Sequence, residues 1–281
     1  MNGRKISNEE IAAFELYLKG EERSAATVEK YLREARQFAA WLGDGAVSKE
    51  AAADWKQSLL ESNYAPSTIN CKLTALDSFL KFKGFAACRV NHLKVQRKLF
   101  RDSSRELSRE EYTRLVQAAE GLGNERLALI METICATGIR VGEVRYITVE
   151  AAKLGRAEIS LKGKIRTILL PGKLCRKLKK YAGKHKTASG EIFLTRSGKS
   201  LSRKQIWAEM KSVCEAADVE APKVFPHNLR HLFARTFYRV SRDMAKLADV
   251  LGHSSLETTR IYLISSGAEH ARTLDKLQLV S

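Results

Sequence analysis

In the stretch "SAATVEKYLREARQFAAWLGD", which begins at Ser24, apolar side chains recur at Val28, Tyr31, Leu32, Ala35, Phe38, Ala39 and Leu42. Steps of three and four residues place them on one stripe of an α-helix, a set that no strand can collect on a single face. Ser24 or Thr27 supplies the side-chain oxygen that satisfies the free amides of the first turn. The pattern returns in "SKEAAADWKQSLLES", with Trp55, Leu59 and Leu60 facing inward, and in "APSTINCKLTALDSFLKFKGF", through Ile69, Leu73, Leu76, Phe79 and Leu80 up to Gly84. A weaker helix, "NEEIAAFELYLKG", comes first. A single amphipathic helix cannot bury its own stripe, so four in succession need one another. A small all-α domain over residues 1–95 follows.

Residues 96–106 lie in "KVQRKLFRDSSRELSREEY", which is polar, basic and poor in core side chains, as a linker is. A Ser-x-x-Glu capping box at Ser108 and Glu111 then opens a second domain, 107–281. The apolar helix in "NERLALIMETICATGIRVGEVRYI" is expected to end at Gly138, with Arg140 opening the next one. Here the period changes. "EISL" and "RTILL", joined by "KGK", read as a β-hairpin with Lys162 at its tip. From Ser202 the chain reads as helical again, with a break at "EAPKVFPHNLR". The expected fold is mainly α, with a small antiparallel β-sheet at the edge of the second domain.

Charge narrows the function. The chain carries 49 Lys and Arg against 32 Asp and Glu, a net +17. The excess is concentrated: residues 153–211 hold seventeen basic and three acidic side chains, whereas residues 1–103 hold seventeen and thirteen. Such an imbalance implies a polyanionic partner, most simply nucleic acid. Within this basic stretch, Lys164, Arg166, Arg203 and Lys204 are the candidate DNA-facing cations. No run of eighteen apolar residues exists and the start "MNGRKISNEE" has no apolar signal region, so a soluble cytoplasmic protein is expected. The five cysteines show no metal-ligand spacing and no disulfide framework.

Several positions then need one explanation. Arg140 follows a glycine-terminated helix, and Lys162 sits in the hairpin turn. His227 and Arg230 stand three apart in "PHNLRHLFA", and "LGHSSLETTRIYL" carries His253 and Tyr262. Each alone has a structural account: an ion pair of Arg140 with Glu143, a polar cap at His227, a carbonyl bond at His253, packing at Tyr262. Together they suit phosphoryl transfer at a DNA phosphodiester. Two arginines clamp non-bridging oxygens, histidines donate to them or move a proton, a lysine protonates the departing alkoxide, and a tyrosine attacks. No carboxylate cluster stands ready to hold a metal, and no step calls for a cofactor.

In this order the boxes resemble the tyrosine recombinases and integrases, phage-integrase-like and closest in layout to the compact Xer type. The resemblance covers nearly the whole chain. It implies a four-helix, SAM-like core-binding domain with a "TVEKY"-style opening, and a mainly helical catalytic domain; the two would form a clamp on DNA. "ATGIRVGEV" is similar to the first arginine box, with Arg140 as clamp and Glu143 as supporting acid. "SLKGKIRTILLP" is similar to the hairpin that delivers the catalytic lysine, at Lys162 rather than Lys164. "HNLRHLFA" matches the H-x-x-R box at His227 and Arg230, and the closing box places His253 and the nucleophile Tyr262. The implied activity is site-specific cutting and rejoining of DNA through a 3′-phosphotyrosyl link, without ATP or metal, in integration, excision, inversion or dimer resolution. The implied partners are double-stranded recombination sites and further copies of the chain, a tetramer in the synapse, or a paired homologous recombinase. Gly142 stands where a serine is common, and "LISS" follows the tyrosine in place of a more polar continuation. The competing readings are a type IB topoisomerase-like relaxing enzyme, a catalytically silent DNA-binding regulator and a transposase using metal and carboxylates, which nothing in the sequence supports.

Overall fold

The computed structural model describes residues 6–95, 103–161, 164–253, 255–262 and 275–277. Within them, most helices start where the sequence supplies a cap. The Ser7 hydroxyl accepts from the Glu10 amide at 3.2 Å while the Glu10 carboxylate accepts from the Ser7 amide at 3.0 Å, and α1 (Asn8–Gly20) follows. Ser24 caps α2 (Ala25–Leu42) and Ser48 caps α3 (Lys49–Glu61). α4 (Pro66–Phe82) has no side-chain cap; a proline at its start lacks the amide that would need one. Each serine cap contributes about 1 kcal/mol.

The chain falls into two compact units, Met1–Arg97 and Lys98–Ser281. In the first, the four stripes meet around Phe14, Phe38, Leu73 and Phe79, all fully buried, with Phe14 and Phe79 edge to face at 5.1 Å. Burying each such side chain stabilises by about 1.5–3 kcal/mol. Leu60, expected to face inward, is 41% exposed; it lies one step, about 100°, round the helix from the buried Leu59.

The second unit opens on the Ser108–Glu111 capping box, with bonds of 2.7 and 3.1 Å, and α5 (Arg109–Gly121). The central helix is α6 (Glu125–Thr137), which packs against α5 and three later helices. It ends at Gly138, whose φ of +67° is left-handed and whose absent side chain leaves room for the Phe233 ring. Arg140 opens a 3₁₀ turn (Val141–Tyr146) and not the α-helix expected from the sequence. The Glu143 carboxylate folds back onto the Arg140 amide at 2.7 Å, and Thr148 already caps α7 (Val149–Leu154), so no span remains for an α-helix.

The hairpin follows: β1 (Arg156–Leu161) and β2 (Lys164–Leu169) pair antiparallel, from Arg156 opposite Leu169 to Leu161 opposite Lys164. Ala157, Ile159 and Ile168 are buried on one face, while Ile165 and Leu169 are exposed on the other. α8 (Gly172–Lys184) is not singled out by the sequence. Its buried stripe of Leu174, Cys175, Leu178 and Tyr181 is interleaved with lysines and an arginine. α9 (Arg203–Ser212), α10 (Pro226–Ser241), α11 (Met244–Leu251) and α12 (Leu256–Arg260) follow. The fold is therefore mainly α with a small antiparallel sheet, as the periodicity predicts. No described helix is long and apolar enough to cross a membrane.

Candidate active site

Pro226 starts α10, which puts His227 in its first turn and Arg230 one turn further on the same side. Arg230 is 1% exposed, yet its guanidinium is ringed by neutral acceptors. Nε donates to the Tyr262 hydroxyl at 3.3 Å, Nη1 to the Gly138 carbonyl, and Nη2 to the Leu251 carbonyl at 2.9 Å. Nη2 also lies 2.9 Å from His253 Nε2. No carboxylate pairs with Arg230 among the described residues. Burial, above all, pulls its pKa down. A buried cation held only by dipoles is a seat for an anion.

A guanidinium has no acceptor, so His253 Nε2 must accept from Arg230. The imidazole proton then sits on Nδ1 and is donated to the Thr259 hydroxyl at 2.8 Å. That hydroxyl is completely buried, which locks the ring's orientation. His253 is thus neutral. Burial first, then the charges of Arg230, Arg140 and Arg166, push its pKa down to about 4.

Tyr262 is 2% exposed. Its ring stacks on His253 at 5.6 Å and lies 4.4 Å from His231 and 5.8 Å from His227. The His227 pKa is also lowered, by burial and then by Arg230 and Arg140. Arg140, its side chain 47% exposed, donates through Nη1 to Glu143 at 3.1 Å. Glu143 is buried and accepts a second guanidinium, Arg166 Nη2, at 2.5 Å.

Five of the six residues expected at the reacting centre are therefore placed: Arg230 bonds Tyr262 and His253, the His227 ring lies 5.8 Å from that of Tyr262, and Arg140 pairs with Glu143. Lys162 lies outside the described residues. The amino acids that the sequence does not single out are His231 and Thr259. His231 stands four positions after His227 in "HNLRHLFA", which puts both rings on one face of α10, 4.7 Å apart. Thr259 carries no signal of its own.

Residues 105–269 match the phage integrase family, and residues 11–84 match the phage integrase N-terminal SAM-like domain. The chain belongs to the phage integrase family. It is 29% identical to tyrosine recombinase XerA of Thermococcus kodakarensis over 285 residues, which span 96% of this chain and 98% of that one. It is 28% identical to tyrosine recombinase XerC of Roseiflexus castenholzii, spanning 91% and 88%. The XerH site-specific recombinase bound to difH substrate shares the fold at TM-score 0.68 and 17% identity, over 97% of this chain and 90% of that one. A λ integrase tetramer bound to a Holliday junction does so at TM-score 0.70 and 18% identity, over 90% and 76%.

In this integrase the cations expected to face DNA divide. Arg203 and Lys204 are exposed in the first turn of α9. Arg203 lies against the arginine-box turn: a β-carbon on Gly142 would sit 2.7 Å from its Nε. Gly142 has no left-handed φ, so its glycine supplies space here and not backbone freedom. Arg166 departs from the expectation. Its side chain is 17% exposed and turned inward onto Glu143, because it stands opposite Ile159 on the buried face of the hairpin. Nothing is described of the Lys164 side chain.

Proposed function

We propose that this integrase is a site-specific DNA recombinase that cuts double-stranded DNA through Tyr262 and rejoins it to another strand. One observation carries the reading: a buried guanidinium, Arg230, without a carboxylate partner among the described residues, bonded at once to Tyr262 and His253. At 3.3 Å the bond to the hydroxyl is long for a charge-assisted one, and a phosphate oxygen competes for it. Arg140 and Arg230 then hold the non-bridging oxygens of the scissile phosphate. The Tyr262 hydroxyl oxygen bonds to phosphorus, the P–O5′ bond breaks, and a 3′-phosphotyrosyl ester and a 5′-hydroxyl result. Both ring nitrogens of His253 are already engaged, whereas His227 makes no side-chain hydrogen bond among the described residues, so His227 takes the phenolic proton. Lys162 gives a proton to the leaving 5′-oxygen. Attack of a different 5′-hydroxyl on the ester reverses these steps and frees Tyr262, and the ester conserves the bond energy. The recombinase names of the relatives support this reading.

The test is a nicked suicide substrate, from which the short cut strand diffuses away. A covalent protein–DNA band on a denaturing gel, formed with chelator and without ATP, is the expected result; its absence would sink the proposal. Exchange between two sites separates recombination from simple relaxation.

Cleavage at sub-saturating DNA reports the ionisation of the free enzyme. A base must be neutral to accept, and a lowered pKa keeps His227 neutral to lower pH. The rate is therefore expected to stay level as pH falls to 6.5, the ordinary histidine value, and to drop only below it. His227→Gln removes that acid limb. A limb centred above 6.5 would assign the proton to another group.

The recombinase works as an assembly of copies on two DNA sites. In the sequence, Leu274, Leu277, Leu279 and Val280 are the apolar residues of an otherwise polar tail; Leu277, the one of them within the described residues, is 53% exposed. Deleting residues 268–281 is expected to weaken two-site synapsis while half-site binding is retained, in mobility shifts with one and two sites. Equal loss of both would refute a role in assembly.

A further inference from the structure

Arg166 is a cation on the wrong face of a hairpin. It shares the inner side with Ile159 and Ile168, while the outer side presents Ile165 and Leu169 to solvent. Desolvation accordingly pulls its pKa down, against the opposing pull of Glu143. Its guanidinium reaches two other elements. Nη2 donates to Glu143 at 2.5 Å, and Nη1 donates to the Leu251 carbonyl.

Both acceptors are shared with the reacting centre. Glu143 also accepts the Arg140 amide at 2.7 Å and Arg140 Nη1 at 3.1 Å. The Leu251 carbonyl also accepts Arg230 Nη2 at 2.9 Å. One side chain therefore joins β2, the turn that carries Arg140, and the turn that leads to His253. Gly252 completes the seat. Its φ of +64° already favours glycine, and a β-carbon there would overlap Arg166 Cδ and Nη1. A branch point made of one forked guanidinium fixes two directions at once, which a single ammonium cannot do.

We propose that Arg166 is a positioning residue that touches no DNA. It holds the carboxylate that aims Arg140 and the turn that places His253 in one register. The proposal rests on the recombinase reading above. Its prediction separates it from a phosphate contact, the role that its place in the basic stretch suggests.

The experiment compares the native chain with Arg166→Gln, Arg166→Lys, Glu143→Gln and the double variant Arg166→Gln/Glu143→Gln. Half-site affinity is measured across a salt series, and single-turnover cleavage at saturating DNA. The expected result for Arg166→Gln is an unchanged salt slope with cleavage slowed about a hundredfold, the scale of misplacing a reacting group by about 1 Å. The double variant is expected to be no slower than the slower single one, because both remove the same network. Arg166→Lys keeps the charge but not the fork and is expected to be slow as well; it carries the same measurements if the glutamine variant does not fold. A salt slope reduced by about 0.9 would mean a lost phosphate contact and overturn the proposal. So would multiplicative losses in the double variant, or full activity in Arg166→Gln. The recombinase reading fails separately, by the absence of a covalent band with the native chain, and the salt slope still decides whether Arg166 meets DNA.

Discussion

Tyr262→Phe is expected to bind its DNA site as the native chain does and to form no covalent complex. The change removes one oxygen and keeps the ring that packs on His253 and lies 4.4 Å from His231. The hydroxyl accepts from Arg230 Nε, and the Nη atoms of that guanidinium stay bonded to Gly138, Leu251 and His253. Leaving that buried charged donor without the hydroxyl costs about 1–3 kcal/mol. Binding depends on many phosphate contacts, none of which is the phenol. In the proposed reaction, covalent attachment depends on it alone. The nicked substrate and a denaturing gel read the outcome, with a mobility shift to confirm binding. A surviving band would move the nucleophile to another residue.

Lys162→Ala is expected to cut ordinary DNA about a hundred- to ten-thousand-fold more slowly, the usual contribution of a general acid. An alkoxide that leaves unprotonated is a poor leaving group. Replacing the 5′-bridging oxygen with sulfur removes the need for the proton, since a thiolate leaves as an anion. On that substrate the variant is expected to approach the native rate. Arg140→Ala is the control. Its side chain is 47% exposed, so its loss leaves no large buried gap, and the role proposed for it on the non-bridging oxygens is untouched by sulfur at the bridge. It stays slow on both substrates. Rescue of Lys164→Ala in place of Lys162→Ala would shift the acid by two positions along the hairpin. Rescue of neither would remove the acid from the hairpin altogether.

Much of this site is legible in the chain because its signals are local. A serine cap acts on the amide three residues on, as Ser108 does on Glu111. A left-handed glycine ends a helix at its own position, as Gly138 does. Three-residue spacing puts His227 and Arg230 on one side of α10 whatever surrounds it. Period two even places Arg166 on the buried face of its strand, once Ile159 and Ile168 are taken as its inner neighbours. Its charge argues the other way, and charge was the weaker guide. In α8 the same conflict hides a helix, because its cations dilute an apolar stripe that buries Leu174, Leu178 and Tyr181.

Helix starts and stops, the hairpin and the order of the reactive side chains are thus set by interactions within about four residues, and the sequence by itself determined them. Which groups face one another was decided only by the tertiary structure. The Gly138 carbonyl that receives Arg230 is 92 positions away from it, and the Leu251 carbonyl that receives Arg166 is 85. Neither acceptor has any side-chain signature, since every residue carries a carbonyl. His253 is neutral because the fold buries it beside Arg230 and leaves Thr259 as the acceptor for its other nitrogen. Desolvation and long-range hydrogen bonds exist only once the core has closed, and so the chemistry of these side chains was written by packing rather than by their spacing along the chain.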